Sequence, residues 1–445
     1  MNPEFQRNLW LEAGPQRLTW TAVALAAVYG ATLVIARSDD LRALGVAGLA
    51  VYVVAALLWG SRIAGRAVGD EVAERTWDFQ RLSALEPWTM TWGKLFGATS
   101  LSWLAALSGL CFVALNVLQQ DGVEAALRVV TGCVAGAVLL QAGSMAMALV
   151  GVRRARAEGR SAASRFNFGG VVGALLLVNI VGRMTPTSSL GGLSLPGLLN
   201  SGDKLWWGAS LPGVWFTVLS LTAFAGWTVI AAWRLMRLEL QMRNAPWAWP
   251  GFTIFAAIWT AGLSPDPQAR WAIAGAVFAA CAYAAAFAEP ADRVRLRQFG
   301  VLVGRRRWSE AAYDMPAALP PLVLAGAAAV GFALSPHAGA MQAASLPFAV
   351  FAFLLRDLGI IAFFRFGPRP RRSDLGSVLA LFLAYFVGGV VGRGLLVPSV
   401  EAAPVSVLSG ASMAIGIWVL AWRRIHAGEQ SDASPLPGRE SSLKK

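Results

Sequence analysis

Apolar runs alternate with short polar or charged stretches along almost the whole chain. Twelve such runs are predicted to be helices: 18–36, 43–63, 95–118, 126–152, 168–182, 211–233, 250–263, 271–288, 319–334, 346–364, 378–397 and 405–422. A helix needs about 20 apolar residues to cross hydrocarbon, and most of these runs reach that length. The fifth, seventh and ninth fall short, so between ten and twelve crossings are expected. The pattern predicts an all-α, polytopic helical membrane protein, because only helices and closed barrels satisfy their backbone in lipid. A different signal precedes the first run. Asn2-Pro3-Glu4 has the residue types of a helix cap and first turn, and Phe5, Leu9 and Ala13 follow at four-residue steps. A short helix on the membrane surface is expected there, with a solvated N-terminus as the other reading.

Composition agrees with a membrane protein. The chain is 56% hydrophobic and only 14% charged, against about 25% charged for soluble domains. Its net charge of +13 is compatible with nucleic acid in principle. The positions of the charges exclude that reading. If the N-terminus is cytoplasmic and the runs alternate, inside segments carry 30 Lys and Arg and outside segments 7, with Arg356 left inside a span. This asymmetry is the positive-inside pattern. It predicts an even number of spans, both termini in the cytoplasm, lipid around the chain and no nucleic-acid partner.

The densest information lies in residues 70–94, between the second and third runs. Asp70, Glu71, Glu74, Asp78 and Glu86 alternate there with Arg75, Arg81 and Lys94. Nothing so charged sits in hydrocarbon, so the stretch is a water-exposed connection. Glu71 and Arg75 have the favourable acid-first spacing of a helical ion pair. Val68, Val72, Phe79 and Leu82 make a rough apolar stripe at helical spacing. Pro87 is expected to stop that helix. Trp88, Trp92 and Lys94 then read as two interfacial indoles and a snorkelling amine where the chain re-enters the bilayer.

These residues resemble those of one family, the permease subunits of ABC-2 type exporters. Such permeases carry an acidic helix after the second span, a basic-small-Thr step, a Leu-rich run, a Pro, and a Gly-Lys opening the third span. The corresponding residues are Glu71, Glu74-Arg75-Thr76, Leu82 to Leu85, Pro87 and Gly93-Lys94. Two departures stand out: Arg75 replaces the usual Gly, and Pro87 comes about three residues late. The resemblance implies a bacterial cytoplasmic (inner) membrane protein that docks a separate cytoplasmic ATPase. Glu71, Glu74, Arg75, Thr76, Asp78, Arg81, Pro87 and Lys94 would form the docking and coupling element. ATP and Mg would be held by that partner, with no cofactor in this chain. An ordinary amphipathic loop of another polytopic protein is the competing reading.

The second half repeats the layout without a residue-level repeat. Two spans are followed by a charged segment, 289–315, and a Pro-rich re-entry. The expected organisation is a first six-span half over 1–245 with its charged element at 62–94, a second over 246–426 with its segment at 289–315, and a disordered cytoplasmic tail over 427–445. The halves would form a pseudo-dimer within one chain, or a homodimer of chains. The loop 184–210, rich in Gly and Pro with Trp206-Trp207 at its end, is expected on the outer face, as a re-entrant or surface hairpin or as a flexible loop. ABC-2 permeases carry short outer helices at this place.

Candidate chemistry is sparse. Arg356-Asp357 lies near the middle of the tenth run, where ionisable groups cost several kcal/mol unless paired or wet. Neighbours on a helix point about 100° apart, so pairing between them is not assured. They either line a polar cavity or make a structural contact to another helix. Asn116, Gln141, Ser144 and Asn179 are expected to hydrogen-bond between helices. Cys111, Cys133 and Cys281 have no metal or redox spacing, and His337 and His426 are far apart, so no metal site is expected. Gly93-Lys94-Leu95 lacks the rest of a Walker A phosphate loop. The leading reading is a non-enzymatic exporter permease. A membrane enzyme acting on lipid-linked substrates, using acids such as Glu289 and Asp292, and an ion-coupled transporter using Arg356-Asp357, remain the alternatives.

Overall fold

The computed structural model describes residues 2–36, 41–74, 76–77, 80, 85–157, 202–244, 246–335, 341–367, 373–391, 395–398 and 402–432, with backbone only for 341–344 and 426–432. The chain divides into two compact units, Met1–Asn244 and Ala245–Lys445.

The first unit opens with α1 (Pro3–Glu12), capped by Asn2, whose Oδ1 accepts the Glu4 and Phe5 amides. The span α2 (Pro15–Ala36) follows. It buries no residue, and is tied to the rest by Tyr29, which bonds Ser108 at 3.2 Å and packs on Phe112. The next helix runs 33 residues, from α3 (Leu41–Tyr52) through a π-helical segment (Val53–Trp59) into α4 (Gly60–Ala73). At about 1.5 Å per residue it is about 50 Å long, against a hydrocarbon core of about 30 Å. The end of α4 therefore projects beyond the apolar layer.

After the charged stretch come α5 (Pro87–Trp92), a second π-helical segment (Gly93–Gly97) and α6 (Ser100–Ala157). Pro87 occupies the first turn of α5, where the missing N–H of proline is harmless. Most of the stretch whose helix Pro87 was expected to stop, 78–79 and 81–84, lies outside the described residues. The 58 residues of α6 double back at Gly122, whose φ of 84° and ψ of 178° suit glycine alone. The fold-back puts Trp103 against Gln141, Nε1 donating to Oε1 at 2.9 Å. Gln141 Nε2 in turn donates to Ala56 O at 3.0 Å, inside the first π segment. Gln141 thus bonds between helices as expected, whereas Asn116 accepts from Gln120 on its own helix. A β-ribbon (β1, Lys204–Trp206; β2, Ala209–Leu211) turns at Trp207 and Gly208, both at positive φ, and leads into α7 (Gly213–Glu239). The ribbon falls at the end of the 184–210 loop, while the middle of that loop lies outside the described residues. Its open edges belong outside hydrocarbon.

The second unit contains α8 (Ala248–Ala261), α9 (Pro267–Ala288), α10 (Arg293–Gly304), α11 (Trp308–Asp314), α12 (Leu319–Ala333), α13 (Met341–Arg365), α14 (Ser373–Val391) and α15 (Ala403–Asp432). Its core is built largely on alanine with Phe278, Leu354, Leu358 and Ile361, so that backbones approach closely. The last helix continues to Asp432, past the residue where a disordered tail was expected. Once a span has nucleated a helix, each further residue adds a hydrogen bond at little cost.

Among the described residues, eight helices are long and apolar enough to cross a membrane, or nine if the pair α11–α12, bent by 104°, counts as one span. The helix that folds back at Gly122 is one of the eight. Eleven of the twelve predicted runs overlap helices, although the run 378–397 outlasts α14 and is non-helical at 395–397; the run 168–182 lies outside the described residues. At 14 and 15 residues, α8 and α12 are short of a full crossing by themselves. The chain is a helical membrane protein.

Candidate functional site

The 70–94 stretch is anchored by a buried charge cluster that joins four segments of the first unit. Lys94 lies in the second π segment and is only 1% exposed. Its Nζ pairs with the Glu71 carboxylate from the end of α4 and, at 3.1 Å, with Glu4 Oε1 from α1. Arg7 Nη2 reaches Glu71 Oε1 at 2.5 Å and Glu4 Oε1 at 3.2 Å. Gln80 Nε2 donates to Glu71 Oε1 at 2.7 Å. Trp77, fully buried, presents its ring 5.4 Å from Lys94 Nζ. Two acids and two bases balance, and each buried charge has an opposite partner, the condition for holding them out of water.

The expected snorkelling of Lys94 is therefore corrected. The amine turns inward, because two carboxylates sit within its reach and offer more than the bilayer interface does. Glu71 likewise pairs with Lys94 and Arg7. Trp10 and Leu11 of α1 are exposed, away from this cluster. Glu4 and Asn8 form its buried face, while Trp10 is 82% exposed. That arrangement places a polar helix face against protein and leaves indole and Leu11 outward, as at a membrane surface.

Glycine makes this seating possible. A Cβ at Gly93 would come 2.7 Å from Glu4 Cβ, and one at Gly97 would come 2.9 Å from Asn8 Cβ. The Gly93-x-x-x-Gly97 step is thus a groove for the backbone of α1. Asn8 Nδ2 donates to Glu4 O at 2.9 Å, and Asn2 Nδ2 to Thr89 O at 2.7 Å, which fixes the helix lengthwise. Sequence reasoning missed Glu4, Asn8, Trp77 and Gly97. The matching four-residue spacings, Glu4/Asn8 and Gly93/Gly97, were the available signal.

The remaining predicted residues divide. Glu74 caps α4 and is exposed; Thr76 is exposed and its hydroxyl donates to Glu71 O at 3.2 Å. Glu86, the N-cap of α5, is exposed too. Arg75, Asp78 and Arg81 lie outside the described residues, as do Phe79 and Leu82 of the expected stripe, Asn179, most of the 184–210 loop and His337.

The second unit holds its own polar centre. Asp357 on α13 is fully buried and accepts from Tyr283 of α9 and Tyr385 of α14, both 2.6 Å from Oδ2. Arg356 does pair with its neighbour: Nε donates to Asp357 Oδ1 at 2.8 Å. Its Nη1 donates to Leu396 O at 2.9 Å, and its plane lies over the rings of Phe353 and Tyr385. The long arginine side chain curls back through the 100° that separates the two Cβ directions. Asp357 Oδ2 thus takes both phenolic donors and Oδ1 the guanidinium, so the group works as a clamp between α9, α13 and α14.

The charged segment of the second unit forms a two-helix hairpin. Asp292 caps α10, and Glu289 pairs with Arg295 while accepting the Ala317 amide at 2.7 Å. Both acids are thus engaged in holding the hairpin. Its tip, Arg305-Arg306-Arg307, is exposed, with Arg306 at a φ of 56°. Among the described residues no group of His, Cys, Asp and Glu side chains could hold a metal ion. No family model matches the chain, and neither a curated protein nor a solved structure matches it.

Proposed function

We propose that the chain is the membrane-spanning permease subunit of an ATP-driven, ABC-2-like exporter in the bacterial cytoplasmic membrane. A separate cytoplasmic ATPase would bind ATP and Mg, and would dock on the loop that follows α4. The observation that carries this reading is the buried Glu4–Lys94–Glu71–Arg7 cluster. It makes the loop base, α1 and the entry of the third span mechanically one piece. A push on the loop reaches two spans and the interfacial helix together, without slack. Exposed Glu74, Thr76 and Glu86 lie beside that base and would meet the partner. The exposed arginine tip of the second unit is a second, oppositely charged contact. The full count of twelve spans and two cytoplasmic termini belong to the same proposal.

The test exchanges charge at the exposed edge. Tagged chain purified from native membranes in mild detergent should bring down a Walker A subunit and its ATPase activity. Glu74→Arg combined with Arg75→Glu should lower the recovered subunit at least fivefold, because rim charges steer partner choice. Recovery of the chain with no ATPase, or equal recovery with the exchanged pair, would contradict the docking role.

A further inference from the structure

We infer that the first unit holds the headgroup of an anionic glycerophospholipid between the ends of α6 and α7, at the end of the unit that also carries the Lys94 cluster. The inference holds whether or not the chain has a motor partner.

Six arginines converge there: Arg153, Arg154 and Arg156 from the last turns of α6, and Arg234, Arg237 and Arg243 from the end of α7 and the turn after it. The turn is made by Gln241 at a φ of 59°, and it brings Arg243 back so that its carbonyl accepts Arg237 Nη2 at 2.7 Å. Asn244 closes it by donating to Arg234 O at 2.7 Å. Among the described residues, the two helix ends contribute one carboxylate to this cluster. Glu239 is buried and is already shared, 2.8 Å from Arg156 Nη1 and 3.9 Å from Arg153 Nε. Arg237 meets a neutral carbonyl and the Trp233 ring, 5.2 Å away, and no carboxylate among the described residues pairs with it.

The aromatic residues fix the depth. Trp233 stands edge-on to Trp88, and Trp88 packs on Trp92. Trp88 and Trp92 are both exposed. Indoles in such a row sit at headgroup level. A guanidinium laid on one of them is therefore held where lipid phosphates lie, with acyl chains able to run down the apolar flank. Basic pockets between spans on this side are the usual receivers of acidic headgroups. An acidic protein would approach from water and would gain nothing from the indole row.

Native mass spectrometry of the full chain, titrated with phosphatidylglycerol or with phosphatidylcholine of identical acyl chains, tests the inference. Phosphatidylglycerol should be retained at least tenfold better. Each surface cation near a headgroup contributes about a fivefold factor, so Arg234→Ala with Arg237→Ala should cut phosphatidylglycerol retention about 25-fold and leave phosphatidylcholine unchanged. Arg237→Lys should keep most of the binding. If the double variant does not fold, judged by its melting curve, Arg243→Ala on the exposed turn replaces it and should lose about fivefold. Equal retention of the two lipids, or full retention by the variants, would overturn the inference. Competition by millimolar inorganic phosphate would also overturn it, since the site would then be one for a free anion.

Discussion

Truncating Arg356 to alanine is expected to destabilise the second unit by about 3–5 kcal/mol, the range for removing one member of a buried ion pair. The change strands Asp357, which has no exposed surface, and removes the donor to Leu396 O. Tyr283 and Tyr385 would still donate to Asp357, but hydroxyl dipoles do not cancel a full charge in a low dielectric. Tyr283→Phe should cost less, about 1.5–3 kcal/mol, the contribution of a hydrogen bond to a charged group. The double change Arg356→Met with Asp357→Leu should recover part of the loss, because no charge is then left without a partner. Thermal unfolding of the detergent-solubilised chain measures all three. A melting point for Arg356→Ala equal to that of the parent would mean that the pair is solvated and that the clamp does not exist. The three donors held on Asp357 also weigh against ion coupling there, since a coupling carboxylate must exchange its partners.

The second large effect is expected at Lys94. Lys94→Met leaves Glu4 and Glu71 facing one another with only Arg7, itself partly exposed, between them. A loss of about 3–5 kcal/mol is expected for the cluster. It should appear locally, as release of α1 from the Gly93–Gly97 groove and faster hydrogen exchange over Pro3–Glu12. Adding Glu4→Gln and Glu71→Gln should restore part of the protection. Under the proposed function this variant separates two roles that a change at Glu74 does not. The ATPase should still bind, since the exposed edge is intact, but its turnover should no longer drive transport. Unchanged exchange in α1 would show that the cluster does not hold the helix.

Much of the fold was legible because lipid imposes one rule on the whole chain. Apolar length marks the helices, and the described helices fall where the hydropathy pattern puts them. The site was less legible, for reasons that differ from residue to residue. Lys94 follows two tryptophans at the start of an apolar run, which is the local signature of an interfacial anchor. Its true partners are 23 and 90 positions away, and no local pattern reports them. The proline at 87 stands in the first turn of α5, a position that the sequence alone does not separate from a helix stop. The pairing of Arg356 with Asp357 was discounted on the angle between adjacent Cβ atoms. The length of the arginine side chain overcomes that angle. Leu396 O could not have been foreseen, since a backbone acceptor in a non-helical segment leaves no mark in the sequence.

The central claim is that the loop after α4 lies in the cytosol, beside a buried charge cluster that couples it to the spans. Thr76 is exposed on that loop, and a single cysteine there reports its side of the membrane directly. In a background with Cys111, Cys133 and Cys281 replaced, Thr76→Cys should react with a membrane-impermeant maleimide in inverted vesicles and stay unlabelled in intact spheroplasts. Labelling in intact spheroplasts, with none in inverted vesicles, would put the loop on the outer face and contradict the account.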